Sequence, residues 1–342
     1  MYIGKSNGDT LQTGSKSPND HVLMAGVSGS GKSSRANQIE LKEAENGATV
    51  IIIDINRSHS NEMIYPPIWE EYRSRMNRID AKRDGVNIEF LRPMREEDGQ
   101  IEDMVTLINS ATCALGSMQK LGSCQIGALR EAIIFALSHR EEFPDEMTAI
   151  GVGLLQQEGT TAKGVYQKLW TVINSRVFRR SNKYIKRGAI NLVSFIGLDK
   201  LTQATLVEVL LFSLWRIIQY QRRPFGNKVV LALDEFQNLS LREGSILRDL
   251  LREGRKFGVY LLLTTQSRKV FPKDTLAILD QVGTKLFFRP AMSEVRSIAK
   301  EIAPDEVAKW ERILSSLQIG EAVAVGNLSL GEMEISHPVL TK

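Results

Sequence analysis

Continuous apolar runs mark both ends of this chain and are sparse in its middle. Val22-Leu-Met-Ala25 behind His21, Ala48–Asp54, Ala189–Phe195, Lys228–Asp234, Val259–Thr265 and Thr284–Phe288 are short and mostly β-branched or leucine-rich. Unbroken runs of this length predict strands buried on both faces of a parallel sheet. Helical patterns lie between them: Lys32–Asn46, closed by Gly47; the strongly apolar Leu201–Gln221; and a stretch ending near Lys256. Pro304, followed by Asp305 and Glu306, opens another helix, as proline at a first helical position should. Glu321–Gly326 and Glu332–Ser336 are expected to close the sheet as a hairpin. From Pro66 to Gly188 the α/β rhythm lapses. One strand, Val86–Leu91, is predicted there, amid helical patterns at Ile101–Ala114, Ile126–His139 and Val165–Phe178.

The predicted layout is an α/β core in two pieces, 1–67 and 188–342, with a mainly helical insertion at 68–187. Residues 1–20 are polar and rich in Gly, Ser, Asn and Asp, and are expected to form a strand-poor lead-in. The run Arg57–Asn61 reads as a polar connector, and the acidic patch Arg95–Asp98 as a loop.

Composition narrows the class. The 342 residues accommodate one large domain with an insertion, or two domains. Two cysteines, Cys113 and Cys124, and four scattered histidines form neither a disulfide framework nor a metal cluster, as expected in a reducing cytoplasm. No apolar stretch is expected to span a membrane, and the N-terminus has no apolar signal region. The net charge of +4 permits a polyanionic partner without demanding one.

The chemistry sits at the strand ends. Gly26-Val-Ser-Gly-Ser-Gly-Lys-Ser33 fits G-x-x-x-x-G-K-[ST], between a predicted strand and a predicted helix. Gly26, Ser28, Gly29, Ser30 and Gly31 form a loop whose N–H groups converge on phosphates. Lys32 reaches the β- and γ-phosphates, Ser33 offers a hydroxyl to Mg²⁺, and Ser34 continues the helix N-terminus. Downstream, Val229-Val-Leu-Ala-Leu ends in Asp234 and Glu235. Asp234 is expected to hold Mg²⁺, and Glu235, turned the other way by strand alternation, to polarise the attacking water. Gln266, ending the next strand, is placed to hydrogen-bond the γ-phosphate or the water. Arg252 and Arg255 precede that strand. Arg255 either reaches a neighbouring subunit's γ-phosphate or belongs to a solvated helix end suited to the dipole.

Lys32 and Asp234 stand 202 residues apart (234 − 32). A strand–helix–strand unit takes only about 30 residues, so the distance calls for an insertion.

Five motifs in order carry a resemblance: the phosphate loop, Leu-Ala-Leu-Asp-Glu-Phe, Arg-Glu-Gly-Arg-Lys-Phe-Gly-Val, Thr-Thr-Gln, and Gly283-Thr-Lys-Leu-Phe-Phe-Arg289. Across 21–65 and 189–337 the chain resembles the HerA/FtsK superfamily, in particular HerA-type translocases and the ATPases of conjugative type IV secretion. That resemblance implies a RecA-like fold, ATP and Mg²⁺ as cofactors, assembly as a hexameric ring, and DNA pumping or powered secretion. It places the ring arginine on Arg255, with Arg289 as second choice. HerA-type proteins carry an N-terminal β-barrel and secretion ATPases a long N-terminal domain. Against them this chain reads as a stand-alone motor core.

Three functions remain open. The first is an oligomeric ATPase moving double-stranded DNA in conjugative transfer, or beside a nuclease in repair or defence. The second is an ATPase energising protein export or secretion-apparatus assembly. The third is a nucleotide-dependent binding switch. Arg176–Arg187, with six basic residues around Phe178 and Tyr184, is either a phosphate- and base-contacting surface or a helix end with its aromatics in the core.

Overall fold

The computed structural model describes residues 1–59, 63–95 and 99–342. Part of the acidic patch at 95–98 and of the polar connector at 57–61 lies outside the described residues. The chain opens with β1 (Tyr2–Ser6), β2 (Asp9–Thr13) and β3 (Val22–Ala25), then α1 (Lys32–Glu45) and β4 (Thr49–Asp54). Next come α2 (Trp69–Arg75), β5 (Met76–Asp80) and four helices: α3 (Met104–Gly116), α4 (Ser123–Ser138), α5 (Glu146–Gln156) and α6 (Thr160–Asn174). The second half runs β6 (Ile190–Ser194), α7 (Lys200–Tyr220), β7 (Val229–Leu233), α8 (Ile246–Glu253), β8 (Val259–Thr265), α9 (Lys273–Leu279) and β9 (Thr284–Phe288). It closes with α10 (Met292–Ile302), α11 (Val307–Ser316), β10 (Ala322–Gly326), β11 (Leu328–Leu330), β12 (Met333–Ile335) and β13 (Val339–Thr341).

Nine strands form the central sheet in the order β13-β10-β9-β3-β8-β7-β4-β6-β5. Pairing is parallel from β9 to β5, and antiparallel where β10 and β13 extend the edge. The apolar strands β3, β4 and β7 are buried throughout, as strands covered on both faces must be. One core layer joins this sheet to α7, α8 and the helices α3 to α6. A second lies on the α1 face, and a third packs α10 and α11 against β9 and β10. The sheet order leaves α1 and the loop before it between β7 and β8 on one flank and β9 and β10 on the other.

Four sequence expectations need correction. Residues 1–20 are not strand-poor: β1 and β2 pair with β11 and β12 in a second, four-stranded antiparallel sheet. Hence β10 and β12 do not form a hairpin, since they belong to different sheets. Val86–Leu91 is not a strand. Its backbone is satisfied elsewhere: Val86 N donates to Val177 O, Leu91 N to the Glu146 carboxylate, and the Arg216 guanidinium to Phe90 O. Finally, α7 is long and apolar enough to cross a membrane, yet 89% of its apolar window is buried inside the protein, as a central core helix requires.

β5 falls inside the stretch 68–187 and pairs with β6, so the central sheet reaches into that stretch. The helical layer is tied to the core through Arg216 on α7, whose Nε donates to the buried Glu102 carboxylate at 2.8 Å. Glu208 on α7 accepts from Ser240 N at 2.8 Å and Glu146 accepts from Leu91 N at 2.9 Å. Burial pushes both carboxyls up to about 7. A carboxyl raised above its unfolded value of about 4.3 holds more protons when folded, so it weakens the fold as pH climbs toward 7. Glu208→Gln is expected to flatten that decline and to stabilise the protein at pH 8 by on the order of 2 kcal/mol. Urea midpoints at pH 5 and pH 8 check it: an equal decline in variant and parent removes Glu208 as the cause.

Candidate nucleotide site

The loop 26–31 joins the end of β3 to the start of α1. Gly31 has a φ of 103°, and a Cβ there would lie 2.5 Å from Gly320 N. Gly26 is constrained from the other side, where a Cβ would meet that of Phe288 at 2.7 Å. Both positions therefore require glycine for close packing, and Gly31 also for its left-handed backbone. Ser30 Oγ donates to Val27 O at 2.7 Å, tightening the curl. The Lys32 side chain is buried, and its ammonium donates to Gly26 O at 2.7 Å and Val27 O at 2.9 Å. Burial lowers its pKa below the ordinary lysine value, while the charges of Glu235 and Asp234 act in the opposite sense. Those three charged groups thus share one electrostatic environment.

Ser33 and Asp234 line the same small cavity, together with Thr264, Ser58, His59 and Glu40. Asp234 Oδ1 accepts from Thr264 Oγ1 and from Glu235 N, which fixes its carboxylate at the edge of the sheet. A serine hydroxyl and a carboxylate are hard oxygen donors, and Mg²⁺ commonly takes one or two protein carboxylates with the remainder from phosphate and water. The residues present fit that ion.

Glu235 is aimed differently from the sequence expectation. β7 ends at Leu233, and Glu235 has left-handed backbone angles, φ 51° and ψ 43°. Strand alternation therefore does not direct it; a strained turn does. A non-glycine residue held there is a feature typical of active sites. Its carboxylate is gripped from both sides: Gln266 Nε2 donates to Oε1 at 2.6 Å, and Gln237 Nε2 donates to Oε2. Gln266 is thus joined directly to Glu235.

The two arginines separate. Arg255 lies in the turn 254–257 before β8, at the N-terminal edge of the sheet, where it donates to Pro18 O. The phosphate loop occupies the C-terminal edge, so Arg255 does not approach the site of its own chain. Arg289 directly follows β9, is exposed, and its carbonyl accepts from Val27 N at 3.0 Å. It flanks the loop.

Sequence reasoning missed the acid beside Asp234. Ile53 pairs with Leu233, so Asp54 continues β4 alongside Asp234. Asp54 Oδ1 accepts from Asn56 N and Ser58 N. Behind it, the buried Glu40 carboxylate receives the Tyr72 hydroxyl at 2.6 Å and pairs with His59 at 3.2 Å. Burial alone would raise Glu40 and lower His59, but their mutual pairing prevails, so Glu40 is lowered and His59 raised from their ordinary values. An acid ending a second buried strand was visible in the sequence; its neighbour was not, because the strand order is not. The described residues contain no cluster of three His, Cys, Asp or Glu side chains that would form a separate metal site.

This loop, these acids and this sheet define a RecA-like P-loop NTPase fold with a helical insertion. No family profile matches the chain. It is 23% identical over 336 residues to the probable helicase MJ1565 of Methanocaldococcus jannaschii, covering 90% of this chain and 60% of that protein. It is 21% identical over 333 residues to the DNA double-strand break repair helicase HerA of Saccharolobus solfataricus, covering 90% and 62%. The chain thus spans about three-fifths of the length of these relatives. Among solved structures, VirB4 of Thermoanaerobacter pseudethanolicus superposes with a TM-score of 0.74 at 16% identity, over 100% of this chain and 95% of that one. The plasmid coupling protein TrwB in complex with ADP and Mg²⁺ gives 0.61 at 15% identity, over 94% and 85%. In sequence the chain resembles these helicases, and in fold it resembles VirB4 and TrwB.

Proposed function

We propose that this chain is a Mg²⁺-dependent ATPase that works as an oligomeric ring, most naturally a hexamer, to move double-stranded DNA. The setting would be the cytoplasm, in conjugative transfer or beside a nuclease in DNA processing. The observation that carries the reading is the convergence of Lys32, Ser33, Asp234, Glu235 and Gln266 around one loop at one edge of the sheet. The relatives named as helicases and the TrwB complex with ADP and Mg²⁺ support it.

In this reading the loop N–H groups and the N-terminus of α1, including Ser34, receive the phosphates. Lys32 exchanges its bonds to Gly26 O and Val27 O for phosphate oxygens. Ser33 and Asp234 would hold Mg²⁺, which when bound would supply charge neutralisation to the phosphates. Glu235 takes a proton from the water as its oxygen bonds to the γ-phosphorus and the bond to the bridging oxygen breaks, leaving ADP and phosphate. Gln266, bonded to Glu235, holds that carboxylate in place and links it to β8. Arg255 can serve hydrolysis only across a subunit boundary, from a neighbour presenting its opposite edge.

The basic segment 176–187 runs between the two edges: Arg179 donates to Lys82 O and Arg83 O beyond the end of β5, and only its far end reaches the opposite edge. Arg187 donates to Arg223 O and Pro224 O, joining the segment 176–187 to the loop before β7. Beside it, Arg222, Arg223, Arg255 and Lys256 line a cleft of about 850 Å³. Phe178 is buried in the core, whereas Tyr184 is 61% exposed. The aromatic pair therefore divides between the two sequence readings. Arg179 and Arg187 are engaged with backbone carbonyls, which leaves Arg176, Arg180, Lys183 and Lys186; the last three, clustered around Tyr184, are the residues to neutralise. Replacing those three with glutamine is expected to weaken duplex binding and to lower the salt slope by about 0.9 for each phosphate contact removed. Fluorescence anisotropy across a salt series reads this, and an unchanged slope would leave the segment a solvated face. Turnover indifferent to DNA but raised by a secretion-apparatus protein would support the protein-export reading instead.

A further inference from the structure

The catalytic groups fix which way a nucleotide must lie. Asp234, Glu235 and Gln266 end β7 and β8, on one flank of the phosphate loop, while β9 and β10 lie on the other. A nucleotide whose terminal phosphate faces Glu235 carries its ribose and base toward β9 and β10. At that flank stand the two most exposed large apolar side chains among the described residues, Met292 at 80% and Ile319 at 75%.

Ile319 is carried on a strap fastened to the loop. Gly320 N donates to Ser30 O at 2.9 Å, and Arg35 Nη2 on α1 donates to Gly320 O at 3.0 Å. Gln318 N donates to the Glu321 carboxylate at 3.0 Å. The space a Cβ on Gly31 would need is filled by Gly320, so strap and loop touch backbone to backbone. The antiparallel pairing of Ala322 with Phe288 then sets the residues after β9, Arg289 to Met292, beside the strap. An apolar side chain held in water by a rigid backbone next to a phosphate site is placed to cover a flat, largely apolar surface brought there with the phosphates.

We propose that the strap 317–321 is the base-binding subsite of this nucleotide site, with Ile319 packing on one face of a purine and Met292 as the second apolar contact. The proposal rests on the nucleotide reading of the loop. Neither side chain carries a hydrogen-bonding group, so the subsite reads the face of the base and not its edge. Adenine and guanine nucleotides are therefore bound within a few-fold of each other.

The test compares ligands that share phosphates and differ in the nucleoside. Dissociation constants of ADP, GDP and pyrophosphate, each with Mg²⁺, are measured calorimetrically for the parent, Ile319→Ser, Ile319→Leu and Met292→Ser. Ile319→Ser is expected to weaken ADP and GDP alike by roughly 5- to 30-fold and to leave pyrophosphate within about twofold. Ile319→Leu is expected to retain most of the affinity. An unchanged ADP constant, or equal losses for ADP and pyrophosphate, overturns the subsite. Dissociation of the oligomer by Ile319→Ser with ADP affinity intact also overturns it, assigning the side chain to an interface between copies. A parent that binds none of the three ligands fails at the nucleotide reading itself, and the subsite falls with it.

Discussion

Replacing Glu235 with glutamine is expected to cut ATP turnover by roughly 10²- to 10⁴-fold while nucleotide stays bound. The glutamine amide has the same shape but cannot take a proton from water at neutral pH. Phosphate affinity is supplied elsewhere, by the loop N–H groups, Lys32 and the helix N-terminus, so binding survives the change. There is a local cost. Glu235 now accepts from both Gln266 and Gln237, and an amide offers only one accepting oxygen. One of those two glutamines must therefore flip its amide so that its oxygen accepts from the new NH2, a change confined to the junction between β7 and β8. Phosphate release and equilibrium nucleotide binding, measured on one preparation, separate the two effects. Parent-like hydrolysis in this variant removes Glu235 from the base role.

Lys32→Ala is expected to fail at the earlier step. The ammonium is the charged group nearest the start of the loop, and it sits where burial makes each electrostatic contact stronger. Losing one charge-assisted contact of this kind weakens nucleotide binding by about 10- to 10²-fold and turnover by more, because the γ-phosphate gathers charge in the transition state. The substitution also removes the side-chain donor of Gly26 O, while Val27 O keeps Ser30 Oγ. A thermal melt therefore belongs beside the binding measurement. Unaltered nucleotide affinity in a folded Lys32→Ala protein would contradict the placement of the phosphates on this loop.

The contrast between the two variants follows from where the residues sit. Lys32 belongs to the element that binds, and Glu235 to a turn that the sheet brings opposite it. A nucleotide-dependent switch without turnover would show the Lys32 effect and no Glu235 effect on any rate.

The buried parallel strands were legible because they must be apolar on both faces, and the sequence then has no polar alternation to hide them. Val259–Thr265 and Thr284–Phe288 are placed to the residue. The strands that were missed obey a different logic. β1 and β2 are short and largely polar, and they are held through the pairing of β2 with β11, more than three hundred positions away in the chain. β5, Met-Asn-Arg-Ile-Asp at the sheet edge, is mostly polar and shows no apolar alternation, which leaves a weak signal beside a helix that leads directly into it. Val86–Leu91 misled for the opposite reason: it is apolar because it is buried, yet its backbone partners are side chains and an irregular segment rather than a neighbouring strand.

The site divides in the same way. The phosphate loop and Asp234 are local signals, each a strand end with its own chemistry. The left-handed turn at Glu235, the placement of Asp54 beside Asp234 and the grip of Gln266 on Glu235 arise only once the sheet order brings β4, β7 and β8 together. The arginines show the limit most clearly. Arg255 lies close to Gln266 in sequence, but β8 runs between them and sets them at opposite edges of the sheet. Sequence proximity to a catalytic residue therefore says nothing here about distance from the phosphates.

The most direct test of the account is steady-state ATP hydrolysis with Mg²⁺, with and without duplex DNA, across fractions separated by size. The account predicts turnover concentrated in the oligomeric fraction and raised by duplex DNA. Hydrolysis absent from every fraction, or confined to monomer and indifferent to DNA, would contradict it.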